Sequence, residues 1–116
     1  MRFEELEVWK RAAQLGVNIF QELKSLNDFV FRNQITKAGL SISSNIAEGY
    51  ERASAKESLQ FLSYARGSCG ELRSQIYIGM KINYISDHIG KNWIKKTQEI
   101  SAMLTSLMRT RRKFLS

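Results

Sequence analysis

Phe31-Arg32-Asn33-Gln34-Ile35-Thr36-Lys37-Ala38-Gly39-Leu40-Ser41-Ile42-Ser43-Ser44-Asn45-Ile46 can be read two ways, and the choice decides the fold. Near its end, Leu40-Ser41-Ile42-Ser43 alternates apolar and polar with the period of a strand. Over its full length, Phe31, Ile35, Ala38, Ile42 and Ile46, followed by Gly49, recur at three- and four-residue steps and share one face of a helix. The longer window favours the helix, expected from about Phe29 to Glu48 with Gly49 as its stop. Ser41, Ser43, Ser44 and Asn45 are mediocre helix formers. They are small enough to admit a second helix closely, and their side chains can bond backbone carbonyls.

The neighbouring segments show the same period. From about Glu4 to Leu26, Leu6, Trp9, Ala13, Val17, Phe20 and Leu23 form a main stripe that Val8, Ala12, Leu15 and Ile19 widen. Asn27-Asp28 then marks a turn and an N-cap. Ser54-Ala55-Lys56-Glu57 has the spacing of a capping box and opens a third helix reaching about Asn83, with Leu62, Ala65, Cys69, Leu72, Ile76 and Met80 on one face. Gly67 and Gly70 thin its middle at about 1 kcal/mol each relative to alanine, so a closely packed neighbour is expected there. A fourth helix starts at Ser86 or Asp87 and runs to about Phe114, lined by Ile89, Trp93, Ile100, Met103, Leu104 and Leu107. Long amphipathic helices joined by short turns make antiparallel neighbours. The expected fold is all-α, an antiparallel up-and-down four-helix bundle forming one domain over residues 1–116. The absence of proline agrees.

Composition removes most chemistry. One cysteine, Cys69, and one histidine, His88, allow no intrachain disulfide and no four-ligand Cys/His zinc site. Cys69 reads as a small core residue and His88 as a residue near a helix start. Glu48 and Glu71 are the one carboxylate pair worth weighing for acid–base work. There is no Glu-x-x-His metal motif and no glycine-rich phosphate loop. No catalytic residue, metal ligand or cofactor is expected. No apolar run approaches a membrane span, so no membrane partner is expected. The opening Met1-Arg2-Phe3-Glu4-Glu5 lacks a secretory apolar region, which suggests the cytoplasm.

The net charge of +7 is unevenly spread. Acidic and basic residues balance before Leu59, and beyond it only Glu71, Asp87 and Glu99 oppose ten Lys and Arg. Such asymmetry points to an anionic partner. The candidate nucleic-acid contacts are Arg73, Lys81, Lys91, Lys95, Lys96, Arg109, Arg111, Arg112 and Lys113. Lys91 and Lys95 should share a face with Lys96 beside them, and the terminal cluster should prolong the charge along the same helix.

Leu6-Glu7-Val8-Trp9-Lys10, Ser41-Ile42-Ser43-Ser44-Asn45-Ile46-Ala47-Glu48-Gly49, Phe61-Leu62, Ala65-Arg66-Gly67-Ser68 and Glu71-Leu72 occur in this order. With that spacing, over nearly the whole chain, the sequence resembles the four-helix-bundle proteins encoded in intervening sequences of bacterial 23S ribosomal RNA genes. Two positions depart from that family's pattern. Ser43 stands where proline is usual, which predicts a weaker bend, and Lys37 stands where arginine is common. The resemblance implies a cyclic homopentamer. It also implies kinship with the accessory variability determinant of diversity-generating retroelements, a bundle that binds nucleic acid through a basic surface.

Asn45, Glu48, Arg66, Ser68 and Glu71 flank the apolar stripes and are expected to form a structural polar network, with Arg66 pairing Glu48 between the second and third helices. Val8, Ile19, Tyr64, Tyr77, Ile78, Ile82, Tyr84 and Ile94 fall outside or at the edge of the main stripes and predict self-association. The functional expectation is a non-enzymatic oligomer that binds RNA or DNA through a basic surface without strong sequence preference. The alternative is a protein-interaction scaffold with no nucleic-acid partner.

Overall fold

Three side chains set where the helices begin. Asp28 Oδ1 accepts the Phe31 N–H at 3.0 Å, Ser54 Oγ accepts that of Glu57 at 3.1 Å, and Ser86 Oγ accepts that of Ile89 at 3.3 Å. The computed structural model describes residues 1–115, with α1 (Glu7–Leu23), α2 (Phe29–Glu51), α3 (Ala55–Lys81) and α4 (Asp87–Arg112). A short 3-10 turn, Phe3–Glu5, precedes them, and no strand occurs among the described residues. The bundle measures 48 × 21 × 20 Å. Each helix packs on its chain neighbours, and α1 closes on α4 along the thinnest seam. The alternating strand pattern at Leu40–Ser43 therefore lies inside a continuous helix.

The core runs the length of the bundle. Leu15, Ile19, Ile35, Ile42, Ile46, Leu62, Leu72, Ile76, Ile100 and Leu104 are all at most 1% exposed. Burying each such side chain stabilises the fold by roughly 1.5–3 kcal/mol. In α2 the expected face, Ile35, Ala38, Ile42, Ile46 and Gly49, is buried. In α1 the assignment is reversed in part: Leu23 of the expected main stripe is buried and Leu6 and Trp9 pack against the core, but the stripe expected to widen it lies deeper. Val8, Ala12, Leu15, Ile19 and Leu23 are the core, while Val17 and Phe20 of the expected main stripe are 47% and 55% exposed. The two stripes lie side by side on one helix, and periodicity alone does not say which faces inward.

Other expectations are corrected by packing. α1 starts at Glu7 because Leu6 is extended. Gly49 does not stop α2, which continues to Glu51. A Cβ there would lie 3.1 Å from the Ser58 carbonyl oxygen and 3.2 Å from Phe61 Cβ, so its job is close approach to α3. Gly67 and Gly70 do the opposite. Nothing stands within 4 Å of where a Cβ would sit at either, and no helix covers them. α3 ends at Lys81, and Asn83 takes a left-handed φ of 63° in the turn to α4. α4 ends at Arg112, two residues before the expected stop. The Ser54–Glu57 box is half made: Ser54 caps, while the Glu57 carboxylate lies 3.7 Å from Arg52.

Candidate nucleic-acid interface

Only three acids follow Leu59 in the sequence, and the fold draws each away from the middle of one surface. The Glu99 carboxylate lies 3.3 Å from Arg11 across the α1–α4 seam. Glu71 lines a cleft of about 610 Å³ between α2 and α3, with Gln34, Lys37, Ser41, Ser68 and Gln75. Asp87 sits in the first turn of α4, where a carboxylate suits the helix dipole. The outer surface shared by α3 and α4 keeps the cations. Arg66 Nη1 donates to Thr105 Oγ1 at 3.2 Å, and Thr105 Oγ1 donates to the Ser101 carbonyl at 3.0 Å. This fixes the rotation of both helices. Arg73, seven residues on from Arg66, occupies the same side of α3 and is also half-buried. Stepping from Thr105 by threes and fours reaches Lys95 and Lys91 in one direction and Arg109 in the other, all exposed. Lys81 is exposed at the C-terminal end of α3.

The nine expected contacts do not form one line. Lys96 turns to the opposite flank of α4 and borders a cavity of about 200 Å³ with Arg11, Gln14 and Glu99. Arg111 is half-buried, its guanidinium 6.0 Å from the centre of the Phe114 ring. Arg112 and Lys113 are exposed at the end of the bundle. Arg66 joins the surface instead, although it was expected in the polar network. The seven-residue step to Arg73 was the signal that pointed to it.

That network exists only in part. Asn45 Nδ2 donates to the Ser41 carbonyl at 2.9 Å and to Ser41 Oγ at 3.0 Å, and Ser41 Oγ meets Ser68 Oγ at 2.9 Å, which joins α2 to α3. Arg66 does not pair with Glu48, because it faces α4 while Glu48 pairs with Arg52 at 3.3 Å on the surface of α2. Glu48 and Glu71 are not a catalytic pair. With Ser41 level with Ser68, they sit ten residues apart along antiparallel helices, roughly 15 Å at 1.5 Å per residue. Of the residues expected to be exposed, Tyr64, Tyr77, Ile78 and Ile82 are, while Val8, Ile19 and Ile94 are buried. Tyr84 is half-buried and donates to Asp28 Oδ2 at 2.8 Å.

Cys69 is 2% exposed, and burial pushes its thiol up to about 12 against a smaller opposing pull from Arg73. His88 is exposed in the first turn of α4. Among the described residues, no three His, Cys, Asp or Glu gather as metal ligands. Among them, too, no helix is long and apolar enough to cross a membrane.

Residues 4–106 match the 23S rRNA-intervening sequence proteins. The chain belongs to that family. The crystal structure of a protein from the S23 ribosomal protein family of Bacteroides thetaiotaomicron, described as having unknown function, has the same fold. Its TM-score is 0.81 at 23% identity, over 87% of this chain and 97% of the other. No protein of curated function matches the sequence. The four-helix architecture is thus shared with another bundle at low identity, as expected where the apolar period rather than particular residues specifies the fold.

Proposed function

We propose that this family member is a non-enzymatic homo-oligomer that binds nucleic acid, structured RNA or an RNA/DNA duplex, through its basic side without strong sequence preference. One observation carries this reading: the three acids of the second half lie in the α1–α4 seam, the α2–α3 cleft and the end turn of α4, leaving cations along the α3–α4 surface. A surface of one sign attracts a polyanion and holds it through phosphate contacts. Phosphate contacts carry little sequence information. The kinship with the retroelement accessory bundle that the sequence resemblance implies would be in keeping with this reading.

Self-association rests on the opposite side of the molecule. Val17 and Phe20 of α1 and Leu40 of α2 are 47%, 55% and 62% exposed, more than a solitary bundle needs to show water. A closed ring, a homopentamer on the family resemblance, would cover them and multiply the phosphate contacts per particle.

A binding titration at two salt concentrations tests the reading. RNA or DNA should bind at low salt and be released steeply as salt rises, with a log–log slope of about −0.9 per duplex phosphate contacted. A protein that binds neither at low salt supports the second reading, a protein-interaction scaffold, which the exposed Val17, Phe20 and Leu40 favour.

A further inference from the structure

We infer that the nucleic-acid seat is the surface between α3 and α4, and that it is shaped for a straight duplex rather than a single strand. This inference rests on the nucleic-acid reading above and adds where the polyanion lies and what form it takes.

The two helices contribute different things. The outer ridge of α4 carries Lys91, Lys95 and Arg109, all exposed. Lys91 and Arg109 are eighteen residues apart on one continuous helix, about 27 Å at 1.5 Å per residue. The facing ridge of α3 is pared to backbone at Gly67 and Gly70, where a methyl group would meet nothing within 4 Å. Arg66 and Arg73 lie half-buried in the valley between the ridges, and Arg66 is held there by its bond to Thr105. A rod laid along the valley can therefore approach both arginines over the bare α3 ridge while the α4 cations reach its other phosphates.

The row follows one continuous helix and is shorter than one duplex turn of about 34 Å. All its cations can then face one side of a stiff duplex with no bending, whose elastic cost a short contact would not repay. A flexible single strand wants stacking platforms, because base–aromatic stacking supplies much of its affinity. This surface offers one, exposed Tyr77 four residues beyond Arg73, and no run of them: the positions from it towards Arg109 are Ser74, Gly70, Gly67 and Ala102, so successive bases find nothing to stack on.

The test uses the full chain and fluorescence anisotropy with three probes: an RNA duplex, a DNA duplex of the same sequence, and the matching single strand. Three double variants remove the same charge: Arg66→Gln with Arg73→Gln in the valley, Lys91→Gln with Lys95→Gln on the ridge, and Lys10→Gln with Lys24→Gln at exposed sites on α1 and its C-cap. The ridge lysines are exposed, so that variant keeps its fold even if the valley variant melts early. Wild type should prefer a duplex to the single strand. The valley and ridge variants should each lose about tenfold in affinity and flatten the log–log salt slope by about 2, while the α1 variant stays near wild type. If wild type binds but the α1 variant loses as much as the ridge variant, the seat is elsewhere and the inference falls while the function stands. Equal binding of single strand and duplex overturns the duplex assignment. No binding to any probe at low salt overturns the function and the inference together.

Discussion

Cys69 shows how little a residue's type says without its surroundings. A thiol held at about 12 is protonated at neutral pH, and its 2% exposure closes it to reagents. Alkylation of Cys69 in the native protein should therefore follow global unfolding, with a rate that rises with urea in step with loss of helix. Labelling of folded protein at the rate of a free thiol would mean that the α3 core opens on its own. Glycines divide in the same way. Gly70→Ala adds a methyl group to open space and should raise stability by about 0.5–1 kcal/mol through helix propensity. Gly49→Ala gains the same propensity but forces a Cβ against a backbone carbonyl at 3.1 Å, and should lower stability by about 1 kcal/mol net. Urea melts of the two variants should move in opposite directions.

The start of α2 is held from two sides. Asp28 accepts the Phe31 N–H and the Tyr84 hydroxyl, and these bonds, the backbone one first, hold its carboxyl below the usual carboxylate range. Tyr84 is raised chiefly because its proton is engaged by Asp28. The lowered acid stabilises the fold above its unfolded value and loses that contribution as pH falls through its folded value, below about pH 4. The raised phenol stabilises below its unfolded value and loses that contribution as pH rises past about 10. Thermal melts should show a plateau at neutral pH with a fall on each side, and Tyr84→Phe should abolish the tyrosine part of the alkaline fall. Between α3 and α4, the hydrogen bond of Arg66 to Thr105 changes the expected energetics. A buried ion pair broken on one side costs roughly 3–5 kcal/mol. A half-buried arginine bonded to a neutral hydroxyl contributes about 0.5–1.5 kcal/mol, or up to about 3 given its charge. If the α3–α4 surface binds nucleic acid as proposed, Arg66→Ala should therefore weaken that binding more plainly than it lowers the melting temperature.

At the scale of the molecule, cations gather along the α3–α4 surface and exposed apolar side chains gather where α1 meets α2, with Tyr64, Tyr77, Ile78 and Ile82 exposed on and just after α3 as well. If the apolar side joins subunits, light scattering at micromolar concentration should give a mass several times the 13.4 kDa of one chain. Phe20→Glu with Leu40→Glu should reduce that mass while leaving helix content unchanged, because both side chains are more than half exposed in the protomer. A wild-type protein that scatters as a 13.4 kDa monomer would sink the assembly. Leu15→Ala is the contrast on the same helix: it empties a core site and should cost about 2–5 kcal/mol of stability.

Helix number, helix order and three of the four helix starts were legible in the sequence because their causes are local. Caps at Asp28, Ser54 and Ser86 act within one turn, and the period of Ile35, Ala38, Ile42 and Ile46 survives a strand-like stretch because burial along α2 sums over many residues. The excess of positive charge in the second half was equally plain. What only the tertiary structure decided is rotation and level. α1 carries two adjacent apolar stripes, and packing against α2 and α4 turned Leu15 inward and left Val17 and Phe20 outside. Arg66 meets Thr105 rather than Glu48 because it projects from the α4 side of α3. Lys96 leaves the basic surface because one residue along a helix is a turn of about 100°, which moves it from the flank beside α3 to the flank beside α1. A helix's period is written in its own residues, but the angle at which it is set among its neighbours depends on all of them at once.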